Sequence, residues 1–246
     1  MSARRAFLTA DWRWLVMLNF DVAPESLASL VPEGTTLDLW RGRALVSIVG
    51  FQFLRTHFGG IPLPFHQRFE EVNLRFYVKR ERATGEVRRG VTFIRELVPR
   101  AAVALVARLA YNEPYRAVPM RSTTPACFTD HPGRIAYEWR ANGKWQHVAA
   151  TATGAPAVPP AGELATFITA HHWGYGRLRD GATGEYEVAH PPWRVWSAEA
   201  LELSADIAEI YGPPFSEALS KPPSSAFIAD GSAVSVYPVR RLTRVP

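Results

Sequence analysis

Glu71-Val72-Asn73-Leu74-Arg75-Phe76-Tyr77-Val78 alternates with a period of two. One face of a strand takes Val72, Leu74, Phe76 and Val78, and the other takes Glu71, Asn73, Arg75 and Tyr77. The polar turn Ala83-Thr84-Gly85-Glu86 returns the chain into a second strand, Val87 to Val98. Upstream, residues 13–20 read as an apolar strand, and Pro24 opens a short helix over Glu25 to Leu30 that Pro32 closes. A hairpin is expected from Leu37–Trp40 and Ala44–Leu54 around Arg41-Gly42-Arg43. The loop Gly59 to Pro64 follows, and its prolines oppose regular pairing. Downstream, Pro99 starts an Ala-rich helix reaching about Tyr111. Asn142-Gly143 joins Arg134–Ala141 to Trp145–Thr153 as a hairpin, and Gly154–Pro160 reads as a Pro/Ala-rich linker. A short helix covers Glu163–Ala170, and Asp180-Gly181 turns between Trp173–Arg179 and Glu185–His190. Residues 199–211 fit helix and strand equally, and Ala226–Ala229 and Ala233–Val239 read as two closing strands. The pattern is α+β, mainly β, with a few short helices. No repeat of about 20–50 residues is present, which argues against a propeller or solenoid.

At 246 residues and 27.4 kDa the chain is expected to form a single domain over 1–246 around one core. Hydrophobic residues at 47% and charged residues at 21% exclude a disordered or collagen-like chain. The single cysteine, Cys127, allows no intrachain disulfide and no Cys-based zinc site, which points to a reducing cytoplasm. Arg4 and Arg5 precede an apolar run, but Asp11 and Arg13 interrupt it well short of the roughly 18 residues a membrane span requires. Neither an anchor nor a signal peptide is expected. The formal charge of +5 raises nucleic acid as a partner. All but Lys79, Lys144 and Lys221 of the 28 basic residues are arginines, and they are scattered rather than clustered, so none is expected.

The chain has no phosphate loop, dinucleotide fingerprint, His-Glu-x-x-His pair or Gly-x-Ser-x-Gly elbow. His171-His172 lacks a carboxylate at ligand spacing, so neither a metal nor another cofactor is expected. The face carrying Glu71, Asn73, Arg75 and Tyr77 is the informative constellation. On an open antiparallel sheet it meets water. If the sheet closes, Glu71 is desolvated beside Arg75, and the pair can hold an anion and move a proton. In His190-Pro191-Pro192-Trp193 the prolines fix an extended segment in which Trp193 reads as a core plug.

Phe69 to Val78, followed by Gly90-Val91-Thr92-Phe93, resembles the signature segment of the YqjF-like family, bacterial proteins within the acetoacetate decarboxylase-like superfamily. Trp12, the Pro24–Pro32 helix, Pro114-Tyr115 and His190 to Trp193 fall in the order that family shows, so the resemblance covers nearly the whole chain. It implies a curved antiparallel sheet closing into a cone or barrel around a central cavity, with peripheral helices. True acetoacetate decarboxylases form a Schiff base on a lysine. In the comparable stretch here, Arg108 to Arg116, Tyr115 occupies the lysine position, and a guanidinium at Arg116 is no amine nucleophile. The resemblance implies Glu71 as the cavity acid or base with Tyr115 as a hydrogen-bond donor. Asn73, Arg75, Arg108, Arg116 and His66 are the candidate substrate contacts. The expected ligand is a small-molecule carboxylate or ketone, and the chemistry is cofactor-free proton transfer or lyase-type. The rival expectation is a binding or structural domain that has lost turnover, and self-association into a homo-oligomer stays open.

Overall fold

The computed structural model describes residues 4–62 and 66–242, the side chains of 106–110 excepted. In chain order the strands are β1 (Leu8–Val22), β2 (Thr36–Leu37), β3 (Ala44–Phe58), β4 (Ile61–Pro62), β5 (Phe69–Glu81), β6 (Val87–Val98), β7 (Tyr115–Ala117) and β8 (Met120–Thr123). They continue as β9 (Arg134–Ala141), β10 (Lys144–Ala157), β11 (Trp173–Arg177), β12 (Thr183–Ala189), β13 (Val195–Ser204), β14 (Ser225–Val236) and β15 (Arg240–Arg241). Short helices are α1 (Pro24–Leu27), α2 (Ala101–Ala110), α3 (Leu164–Thr169), α4 (Ile207–Tyr211) and α5 (Ser216–Leu219). No helix among the described residues is long and apolar enough to cross a membrane.

Seven strands close on themselves in the order β1, β3, β5, β6, β11, β12, β14 and back to β1. All these pairings are antiparallel except the short parallel contact of β6 with β11 at Gly90↔Trp173 and Gly174↔Val91. At this closure Gly174 lies against Tyr186, and a Cβ there would stand 2.0 Å from the ring. A second layer, β8–β9–β10–β13, hangs from β14 and packs across the outside of the ring.

β5 is therefore buried on both faces. Val72, Leu74, Phe76 and Val78 point outward into a core shared with Tyr137, Trp139, Trp196 and the segment holding α4 and α5. Phe69 and Tyr77 point inward, into a second core with Leu15, Met17, Phe51 and Phe53. The period-two reading of this strand holds, and its polar face turns inward.

Several local expectations are corrected. The Arg41-Gly42 turn forms, with φ of 49° and 82° and reciprocal 2.9 Å bonds between Trp40 and Arg43. However, β2 pairs with β5 rather than with β3, so the hairpin is limited to that turn. Ile61 and Pro62 do pair with β3, because a proline on an edge strand still offers its carbonyl; Leu63 and Pro64 of that loop lie outside the described residues. The supposed linker is continued strand: β10 runs on to Ala157, which pairs with Val195. Residues 199–211 divide into the end of β13 and α4.

The two closing strands are a single strand, β14, which passes through a left-handed Gly231 at φ 76°. Gly231 sits opposite Arg13, where β1 carries a bulge and Trp14 adopts φ 58°. A Cβ on Gly231 would lie 2.0 Å from the Trp12 carbonyl oxygen. We expect Gly231→Ala to destabilise the fold by on the order of several kcal/mol in urea unfolding, because backbone contact and φ both oppose it. A loss under about 0.5 kcal/mol would contradict this account.

Candidate functional site

The ring encloses a cavity that leaves about 110 Å³ for the centres of water-sized groups. Glu71, Asn73 and Arg75 line it from β5, and each is buried. Glu71 accepts hydrogen bonds from Asn73 Nδ2 to Oε1 and from the Tyr115 hydroxyl to Oε2, both at 2.9 Å. Glu96 stands on β6 directly across from Asn73, and Tyr115 on β7 lies next to Glu96 in the parallel register. The Tyr115 hydroxyl also contacts the Glu96 carboxyl. A phenol has one proton, and Glu71 receives it. The Glu96 contact therefore needs a protonated carboxyl donating to the phenol oxygen. A third acid, Glu113, takes a 3.0 Å bond from the Tyr186 hydroxyl.

Electrostatics follow from placing three carboxyls and one guanidinium in a closed space. Burial pushes Glu71 up to about 7, against the pull of Asn73, Tyr115 and the Arg75 charge. Burial pushes Glu113 up to about 8, with the Glu71 charge adding to the effect. Glu96 is raised well above the carboxylate range by burial, then by the charges of Glu71 and Glu113. Near neutral pH Glu96 and Glu113 are thus hydrogen-bond donors, while Glu71 is poised between acid and base. Four buried polar atoms of the lining have no hydrogen-bond partner: Asn73 Oδ1, Arg75 Nε and Glu96 Oε2 around the acids, and Trp12 Nε1 on β1. Buried polar groups are usually paired, so such a cluster marks where a polar ligand fits.

Of the residues singled out from sequence, Glu71, Asn73, Arg75 and Tyr115 line this cavity. Arg116 does not: it neighbours Tyr115 on β7, so its side chain leaves by the opposite face and pairs with Glu209 at 2.8 Å. Nor does His66, which precedes β5 and falls outside the alternation that turns Phe69 and Glu71 inward. The Arg108 side chain lies outside the described residues. The lysines are all away from the cavity, with Lys79 near Glu81, Lys221 paired to Glu217 and Lys144 exposed.

Glu96, Glu113 and Tyr186 were missed. β6 carries a bulge between the pairs Arg75↔Phe93 and Leu74↔Arg95. Val91 and Phe93 face the cavity, and strict alternation would send Arg95 inward next. The extra residue, Ile94, shifts the parity, so Glu96 faces in instead. Glu113 was visible only as a carboxylate two residues before Tyr115.

His171 is held between Phe167 O, 2.6 Å from Nδ1, and Asp38 Oδ2, 3.1 Å from Nε2. His190 stacks on Trp193 at 4.2 Å, and burial holds it down to about 4. Trp193 is buried as a plug but also forms cavity wall. No group of acidic, His or Cys side chains suited to a metal occurs among the described residues.

The uncharacterized protein YqjF of Bacillus subtilis (strain 168) is 26% identical over 198 residues, covering 79% of this chain and 77% of that protein. The enduracididine biosynthesis enzyme MppR, solved in complex with pyruvate, matches with a TM-score of 0.67 at 14% identity, covering 99% of this chain and 92% of that one. Acetoacetate decarboxylase from Legionella pneumophila subsp. pneumophila str. Philadelphia 1 matches with a TM-score of 0.65 at 12% identity, covering 99% and 92%. At such identities the likeness is one of fold, which is the acetoacetate decarboxylase-like fold. The profile of DUF2071, described as an uncharacterized conserved protein, spans residues 9–233. Because that match runs over nearly the whole chain, the chain belongs to the DUF2071 family.

Proposed function

We propose that this chain binds a small organic oxo acid in the ring cavity and transfers a proton at the carbon beside its ketone, without Schiff-base chemistry. The observation that carries the reading is the set of unpartnered atoms, Arg75 Nε, Asn73 Oδ1 and Glu96 Oε2, buried beside a glutamate raised to about 7. Arg75 neutralises the ligand carboxylate. The unpartnered Arg75 Nε–H donates to the ketone oxygen, and ionised Glu71 removes the neighbouring C–H proton. The C–H pair becomes the enolate double bond, and the carbonyl pair moves to the oxygen facing Arg75. Tyr115 holds Glu71 and Glu96 in register. Cavity walls free of lysine support a route without an iminium. MppR, whose structure contains pyruvate, supports the ligand class.

Oxo acids such as pyruvate are expected to raise the melting temperature of the wild type, Arg75→Ala to abolish that shift, and Arg75→Lys to retain part of it. Absence of any shift with the wild type, or an unchanged shift in Arg75→Ala, would overturn the proposal. Borohydride added with pyruvate should leave the protein mass unchanged, whereas an adduct on a lysine would reverse the mechanism.

A further inference from the structure

The cavity has two unlike ends. Asn73, Glu96 and Tyr115 form one row of neighbouring strand positions across β5, β6 and β7. Trp12, Phe53 and Phe69 form another across β1, β3 and β5. Along β5 the aromatic row is two residues from Glu71 and four from Asn73, which is about 7 Å and about 13 Å of strand. The aromatic end is built of rings in mutual contact. Trp12 lies 5.2 Å from Phe51, 5.7 Å from Phe53 and 6.4 Å from Trp193, and Phe53 stacks on Phe69 at 4.5 Å.

Within that apolar wall one polar atom is left over. Trp12 Nε1 is buried and has no acceptor, although an indole N–H shut away from water normally finds one. A three-carbon oxo acid held at Arg75 leaves both the rings and this donor uncovered. An alkyl chain would cover the rings and still leave the donor unpaired.

Resting on the reading of the cavity as an oxo-acid site, we propose that the ligand is an elongated aryl oxo acid. Its carboxylate and ketone lie at Arg75, Glu71 and Glu96. Its ring packs among Trp12, Phe51, Phe53, Phe69 and Trp193, and an oxygen on the ring's far side accepts the Trp12 Nε1 hydrogen bond. Trp12 is then a specificity residue, reading the ring substituent without touching the reacting carbon.

The test is calorimetric titration of the full chain with pyruvate, 2-oxooctanoate, phenylpyruvate and 4-hydroxyphenylpyruvate, repeated with Trp12→Phe. The wild type is expected to bind phenylpyruvate at least tenfold more tightly than pyruvate and more tightly than 2-oxooctanoate. The hydroxyl is expected to add about fivefold, the size of one hydrogen bond. Trp12→Phe should erase that hydroxyl increment, so that within the variant 4-hydroxyphenylpyruvate binds no more tightly than phenylpyruvate, and the remaining phenylpyruvate binding shows that the variant is folded. Pyruvate binding as tightly as the aryl acids, preference for the alkyl acid, or a hydroxyl increment that survives Trp12→Phe would each overturn the inference while leaving the oxo-acid reading intact. Failure of all four acids to bind would overturn both.

Discussion

Glu71→Gln is expected to slow deuterium exchange at the carbon beside the ketone of bound pyruvate by about 10²- to 10⁴-fold, the range a positioned general base supplies. The amide keeps the size of the carboxyl and an acceptor oxygen for Asn73 or Tyr115, so pyruvate affinity should stay within a few-fold. In the wild type the exchange rate should rise with pH and level off above about 7, because only ionised Glu71 accepts the proton and burial holds its pKa there. The measurement is loss of the methyl proton signal in D₂O. A variant that exchanges within a few-fold of the wild type would remove Glu71 from the chemistry. Binding without exchange in the wild type would favour a binding domain over an enzyme, as the lysine-free cavity also would.

The second large effect concerns stability. Glu71 and Glu113 have folded pKa values of about 7 and about 8, above the ordinary carboxylate value of about 4.3 in an unfolded chain. Between those values the folded state binds more protons than the unfolded state. The stability contributed is therefore full below about pH 4.3 and is lost as pH rises toward about 8. His190, held down to about 4, acts in the opposite sense, but only below about pH 6.5 where an unfolded histidine gains its proton. The interval from pH 6.5 to 8 isolates the carboxyls. There the wild type should lose unfolding free energy with rising pH.

Glu113→Gln should flatten that slope and stabilise the protein at pH 8, by on the order of one to several kcal/mol. The amide oxygen still accepts from the Tyr186 hydroxyl, so the hydrogen bond seen with Glu113 persists. Urea unfolding at pH 6.5 and pH 8 checks this. Equal slopes in variant and wild type would mean that Glu113 titrates alike in both states.

Alternation in β5 was legible from sequence, as were the β5–β6 hairpin, the Asn142-Gly143 and Asp180-Gly181 turns and α2. Each depends on residues close together in the chain, where side-chain period and turn chemistry act directly. Glu71 could be named for the same reason: it stands on a strand whose two faces differ in kind. The other two acids could not. Glu96 enters the cavity only because a single-residue bulge at Ile94 reverses the parity of β6, and a bulge leaves no fixed mark in composition. Arg116 was misplaced by the same local logic, since neighbours on a short strand share a sequence motif and point to opposite faces.

By itself the sequence determined that Val72, Leu74, Phe76 and Val78 would share one face and Glu71, Asn73 and Arg75 the other. Only the tertiary structure decided that the second face would meet other side chains instead of water. That outcome depends on β12 reaching β14 and on β11 reaching β6, two short contacts between segments far apart in the chain. Ring closure removes solvent from both sides of β5. Desolvation, together with mutual repulsion among the buried carboxyls, turns ordinary glutamates into groups that hold or release protons near neutral pH.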